Sequence, residues 1–220
     1  MKDLRRLPAS HFTQRKWAEG SPDRSYPDAI EFALNAIRKN PGEITLVAVA
    51  PLTNVGAMIR RDPETFRKLK RVVLMGGSIA MGYGGKKEPE AEWNIINDIA
   101  GAKALFGSGV PVYVMPLDST EIPLEPERQA KLFAKKTGMT KALEEMTAEW
   151  SVSAKQVSPT LFDVVAAAYA VKPEICPTTP MRIEVDDKGF TRRVSGAANA
   201  NVCLESMTGE FFSLFMARVR

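Results

Sequence analysis

Glu92-Trp93-Asn94 sets a carboxylate, an indole and an amide side by side at the end of a glycine-rich stretch. In extended backbone alternate side chains share a face. Glu92 and Asn94 could therefore meet vicinal hydroxyls together, with Trp93 as an apolar wall. The same residues also fit a plain helix start with no ligand. Thr53, in Pro51-Leu52-Thr53-Asn54, follows an apolar run. It suits a helix cap or an oxygen offered to a hard cation. Asp163 stands just before the apolar run Val164 to Val171. A helix dipole favours an aspartate there; a metal or substrate carboxylate is the second reading. Asp118, before Ser119-Thr120, reads first as a turn residue and second as a site residue. Met75, Met81 and Met115, at or just past strand ends, read as core.

Much chemistry is excluded. The single histidine is His11, so no multi-histidine zinc site can form. A Ser-His-Asp triad would have to recruit that residue. Cys176 and Cys203 form no CxxC and read as buried free thiols of a reducing compartment. That places the protein in the cytoplasm. No GxxxxGK[ST] is present and no GxGxxG follows a strand. Thirty basic and 26 acidic residues leave a net charge of +4, too mild for nucleic acid, which wants a concentrated basic face. No apolar run reaches the ~20 residues of a membrane span, and the start, MKDLRRLPASHF, lacks an apolar signal core. Catalysis, if any, should lean on carboxylates, amides and a hard metal.

The elements that must hold these residues alternate. The chain has 220 residues, 45% hydrophobic and 25% charged, as expected of one soluble globular domain. Residues 1–26 read as an irregular lead-in and 27–220 as a single α/β domain. Asp28 to Lys39 suits a helix ended by Pro41-Gly42. Ile44 to Val49 reads as a strand buried on both faces. Thr53 or Asn54 could cap a helix through Arg60, and Asp62-Pro63 opens another. Strands follow at Arg71 to Met75 and Pro111 to Met115, separated by a glycine-rich loop over 78–91 and a helix from Asp98 to Ser108. Pro123 to about Gln156 reads as helical, interrupted near Gly138. Leu161 to Val171 is a short apolar helix. Met181 to Val185 and Asn201 to Glu205 read as strands, and Thr208 to Arg218 as a closing helix. This order predicts an α/β fold around a mostly parallel sheet flanked by helices. Ligands then sit beyond the carboxyl ends of the strands.

Taken in order, ITLVAVAPLTNVGAMIRRDP, RVVLMGG, AEWNIINDIAGAKALFGSGVPVYVMPLDST and LFDVVAAAYAV resemble the inosine-uridine-preferring nucleoside hydrolase family. The resemblance covers about Ile44 to Val171 and runs more weakly to the end. It implies a Rossmann-like fold and hydrolysis of the N-glycosidic bond of ribonucleosides, giving ribose and free base. It also implies a calcium ion that positions the attacking water and grips the ribose. Carried over by motif, Thr53 and Asp163 would ligate calcium, Thr53 through its carbonyl. Glu92 and Asn94 would hold ribose hydroxyls, Trp93 would flank sugar or base, and Met75 would line the same pocket.

The departures are as informative. The family's opening Asp-x-Asp-x-Gly-x-Asp-Asp motif, with its general base, has no counterpart, since Asp23 and Asp28 are isolated. The family's first strands are expected to be missing. Phe162 stands where a histidine is common, Ala50 where glycine precedes Pro-Leu-Thr-Asn, and no asparagine is evident in the loop before Glu92. The expectation is a nucleoside hydrolase-like chain that is truncated or impaired. The alternative is a non-catalytic binding or interaction module on the same fold. The partners expected are a ribonucleoside or ribose-like molecule, and either further copies of the chain or a missing N-terminal half.

Overall fold

A computed structural model describes residues 28–219 together with Thr13 and Lys16. His11 and most of the expected lead-in lie outside the described residues. The chain forms two compact units. The larger comprises 26–122 and 161–211 and carries the sheet.

Helix α1 (Ala29–Lys39) starts at Asp28, whose side chain accepts the Glu31 N–H. It buries Ile30, Leu34 and Ile37, the one-face spacing expected of an amphipathic helix. Strand β1 (Thr45–Ala48) leads into α2 (Thr53–Arg61), and α3 (Pro63–Phe66) follows with Asp62 as its cap. Neither Thr53 nor Asn54 caps α2. The cap position is Leu52, without a side-chain hydrogen bond, because Leu52 is drawn into the core with 1% of its surface exposed. Strand β2 (Arg71–Met75), α4 (Trp93–Ile96), α5 (Ile99–Phe106), β3 (Val112–Met115) and α6 (Leu117–Thr120) continue the alternation. Helices α2 and α5 approach so closely that a Cβ on Gly56 would lie 3.0 Å from the Gly101 Cα. Glycine is required there by contact.

The smaller unit holds α7 (Pro126–Phe133) and α8 (Gly138–Ala154). A reciprocal capping box between Thr137 and Thr140 starts α8. This confirms the interruption expected near Gly138.

Back in the larger unit, α9 (Phe162–Val171) precedes β4 (Thr179–Val185), β5 (Thr191–Val194) and β6 (Ala200–Val202); α10 (Thr208–Arg218) follows, its residues from Phe212 on belonging to the smaller unit. The strands form one sheet of order β1-β2-β3-β6-β4-β5. The first four run parallel, with Val47 beside Val73, Val73 beside Tyr113 and Val114 beside Val202. Strands β4 and β5 are antiparallel additions. Leu34, Leu52, Phe66, Leu74, Ile95 and Ile183 belong to one apolar core.

Three expectations are corrected. β1 is not buried on both faces: Thr45, Leu46 and Val47 are half-buried, because among the described residues β1 is an end strand with β2 as its partner. β5 was not foreseen, since Thr-Arg-Arg-Val lacks an apolar run. It pairs through its backbone after a turn in which Asp186 accepts the Lys188 and Phe190 N–H groups. Cys176 and Cys203 are not free thiols but form a disulfide across 27 positions, with Cα atoms 5.7 Å apart. The local spacing held no sign of it, because the fold brings the pair together.

Candidate functional site

A cleft of about 250 Å³ opens at the carboxyl ends of β1 and β2, lined by Val49, Met75, Tyr83, Glu92, Trp93, Asn94, Phe162 and Asp163. This is where an open parallel sheet is expected to hold a ligand. Five of the six residues proposed for the site from sequence line it. Thr53 is the exception. It is exposed in the first turn of α2 and does not line the cleft. A larger groove near Arg182 and Arg193 has no carboxylate in its lining.

Glu92 is the best-fastened of these residues. Its carboxylate accepts the backbone N–H groups of Asn94 at 2.9 Å, Gly77 at 3.0 Å and Ile95 at 3.3 Å. Two of those donors belong to the first turn of α4, so Glu92 is the cap of that helix. The third comes from the turn that ends β2. Gly77 has φ +87°, and a Cβ there would lie 2.9 Å from Thr191 Oγ1. Glycine is needed on both counts. Glu92 is 2% exposed. Burial pushes its pKa up, partly offset by the N–H groups of Asn94, Gly77 and Ile95.

Asn94 donates through Nδ2 to the Met75 carbonyl at 3.2 Å. That bond ties the amide to the last residue of β2 and leaves Oδ1 without a hydrogen bond from the described residues. Met75 is 2% exposed, so it is core and cleft wall at once. Trp93 is 65% exposed and stands at the rim.

Asp163 sits in the first turn of α9. It is exposed overall, yet partial desolvation of its carboxyl raises its pKa, with no hydrogen bond to offset the shift. Asp118 is not a cleft residue. Its carboxylate accepts the Ile79 and Ala80 N–H groups at 2.9 and 2.8 Å, so its turn role is the one observed. Met115 is fully buried core.

Tyr83 was missed by sequence reasoning. It lies in a three-residue 3-10 turn, Tyr83–Gly85. Its hydroxyl accepts the Trp93 N–H at 3.0 Å and stands 3.5 Å from Glu92 Oε1. Its ring meets Phe162 edge-on, with centroids 6.1 Å apart. Burial pushes its pKa up to about 12, with nearby Glu92 adding to the shift. The available signal was an aromatic residue set among glycines, Gly82-Tyr83-Gly84-Gly85.

Calcium takes six to eight oxygens. Among the described residues no three His, Cys, Asp or Glu side chains gather as a metal site. Within the cleft Asp163 is an uncommitted carboxylate, while Glu92 is occupied by backbone donors. The cleft residues alone therefore do not make a calcium shell.

A family model described as inosine-uridine preferring nucleoside hydrolase matches residues 7–213. The non-specific ribonucleoside hydrolase RihC of Escherichia coli O7:K1 is 30% identical over 173 residues, 78% of this chain and 55% of that protein. The chain thus spans about half the length of the curated relatives it matches. Among solved structures, a purine-preferring ribonucleoside hydrolase from Gardnerella vaginalis superposes with TM-score 0.80 at 26% identity, covering 90% of this chain and 67% of that one. The plant nucleoside hydrolase PpNRh1 shares the fold with TM-score 0.79 at 23% identity, covering 90% and 69%.

Proposed function

The chain belongs to the inosine-uridine preferring nucleoside hydrolase family, and from that premise we propose that its cleft binds the ribose of a ribonucleoside without hydrolysing it unaided. The observation that carries this is the convergence of Glu92, Asn94 and Asp163 on one cleft. An amide oxygen without a protein partner and an exposed carboxylate offer acceptors to sugar hydroxyls. Met75, Val49 and Phe162 supply apolar wall. Glu92 holds the frame, because its buried carboxylate ties α4 to the turn after β2.

Breaking the N-glycosidic bond asks for more. Glycoside cleavage passes through an oxocarbenium-like transition state and uses carboxyl groups in paired roles. In this cleft Glu92 is tied to three backbone donors, so among the described residues that line it Asp163 stands as the single carboxylate free to act. If calcium were bound it would orient and acidify the attacking water; Asp163 is the cleft residue suited to ligate it. Thr53 would have to reach it from outside the cleft lining. We carry the chain as an impaired hydrolase for this reason. The second reading, a binding module that keeps the fold, rests on the same feature.

The reading extends to a chain that associates with further copies or with a complementary chain; the Cys176–Cys203 disulfide removes the free-thiol argument for a reducing compartment. Among the described residues β1 is an end strand, with Leu46 and Val47 half-buried, and end strands favour pairing.

The test is titration calorimetry with inosine, uridine, adenosine and cytidine, beside a ribose-release assay with calcium and with a chelator. Binding without release is expected, from a sample eluting larger than a monomer in size-exclusion chromatography. Chelator-sensitive release would replace the impaired reading with hydrolysis. No binding of any nucleoside would overturn the proposal.

A further inference from the structure

Tyr83 is held in the cleft by its loop. Its own N–H donates to Glu90 Oε2 at 2.8 Å, and the Gly84 N–H donates to Glu121 Oε1 at 3.1 Å. Glu90 is in turn paired with Lys86 at 2.7 Å. Gly84 and Gly85 take φ +68° and +73°, which only glycine adopts without cost. Gly82 leaves no room for a side chain: a Cβ there would lie 2.6 Å from the Glu88 carbonyl oxygen. The loop thus aims one aromatic side chain at the carboxylate of Glu92.

The hydrogen bonds of the phenol are unevenly used. Its oxygen accepts the Trp93 N–H at 3.0 Å. Its proton faces Glu92 Oε1, and that atom is 3.5 Å away, beyond a good O–H···O distance. Oε1 already accepts one backbone N–H, and a carboxylate oxygen can accept more. Side by side, phenol and carboxylate therefore present one donor and one acceptor. A hydroxyl group fits that pair, because it accepts and donates at once.

We propose, resting on the ribonucleoside reading above, that Tyr83 and Glu92 form a matched donor–acceptor pair for one sugar hydroxyl. Tyr83 then selects for ligands that carry it. The ligand hydroxyl donates to Glu92 Oε1 and accepts from the Tyr83 O–H. A deoxy sugar would leave the phenol proton and the second acceptor position of the desolvated Oε1 unmatched, which is how polar sites reject analogues lacking a hydroxyl. The raised pKa of the phenol keeps its proton in place across the working pH range. Tyr83 is here a specificity residue; no bond-making step is assigned to it.

The experiment is equilibrium binding of inosine and its 2′-, 3′- and 5′-deoxy analogues to the full chain and to Tyr83→Phe, with calcium absent. Phenylalanine keeps the edge-on contact with Phe162, and circular dichroism with a urea midpoint checks folding. The wild type should bind one of the three analogues about tenfold more weakly than inosine for want of that pair. Tyr83→Phe should bind inosine about tenfold more weakly while losing little further on that same analogue. A purely structural role would weaken all four ligands by one factor, and that result overturns the proposal. So does a wild type that binds inosine and all three analogues equally, a result that needs no variant. Failure of the wild type to bind any of the four would overturn the ribonucleoside reading and this inference with it. Binding with no analogue dependence overturns this inference alone.

Discussion

Glu92 at the start of α4 and Asp163 at the start of α9 line the same cleft, and burial raises both carboxyl pKa values. Their surroundings differ. Glu92 accepts three backbone N–H groups from two separate segments, whereas Asp163 has no hydrogen bond to offset its desolvation. A carboxylate surrounded by donors that fold supplies is part of the frame. One left without partners keeps its charge for a ligand. Two acidic site candidates, one expected to hold ribose and the other calcium, thus separate into a support that also borders the cleft and a group poised to engage what enters it.

The sharpest break of this contrast is Glu92→Ala. It removes the α4 cap and leaves the Gly77, Asn94 and Ile95 N–H groups without their acceptor in a buried place. Unmet buried donors cost on the order of 1–3 kcal/mol each, and local relaxation recovers part of it. A loss of about 3 kcal/mol in urea unfolding is expected. A loss under about 0.5 kcal/mol would show that the frame does not depend on Glu92.

How much of this was legible beforehand depends on what each residue's role rests on. Arg71 to Met75 and the strand at Val112–Met115 were readable because continuous apolar side chains need no distant partner to declare a buried strand. The Thr191–Val194 strand was not, because Arg192 and Arg193 face solvent and its pairing is carried by backbone. Ile44 to Val49 was legible as a strand but not in its burial, since burial depends on which neighbours flank it. The Glu92-Trp93-Asn94 cluster stood out from its residue types. Its division of labour did not, because Gly77 lies 15 positions from Glu92. Tyr83 was hidden for a related reason. Its aim is set by left-handed glycines and by Glu121, which is 37 positions from Gly84. The Cys176–Cys203 pair likewise becomes visible once the sheet and its connections exist.

A pH series refines the Glu92 side of the contrast. Its folded pKa lies above the ordinary 4.5, so the folded protein holds a proton that the unfolded chain has already lost. The associated stability is complete below pH 4.5. It declines as pH rises from 4.5 through the raised folded value, then levels off. Glu92→Gln cannot titrate. The stability of the wild type minus that of Glu92→Gln should fall with rising pH over that window. A difference that rises instead would mean that the backbone N–H groups outweigh desolvation and hold the folded pKa below 4.5.

The smallest effect on stability is expected at Asp163, and it completes the argument. Asp163→Asn keeps the size of the side chain and a polar group able to sit in the first turn of α9. It removes a charge that no protein donor stabilises. The helix dipole gave that charge a few tenths of a kcal/mol, and its partial desolvation took some back. Unfolding free energy should therefore change by no more than about 0.5 kcal/mol, while nucleoside affinity falls several-fold because an ionised acceptor is exchanged for a neutral amide. Urea unfolding and calorimetry on one preparation measure both. A large stability loss with unchanged affinity would reverse the assignment, making Asp163 part of the frame. Intact stability with weakened binding leaves Glu92 as the group that builds the cleft as well as meeting the ligand, and Asp163 as a group that serves the ligand alone.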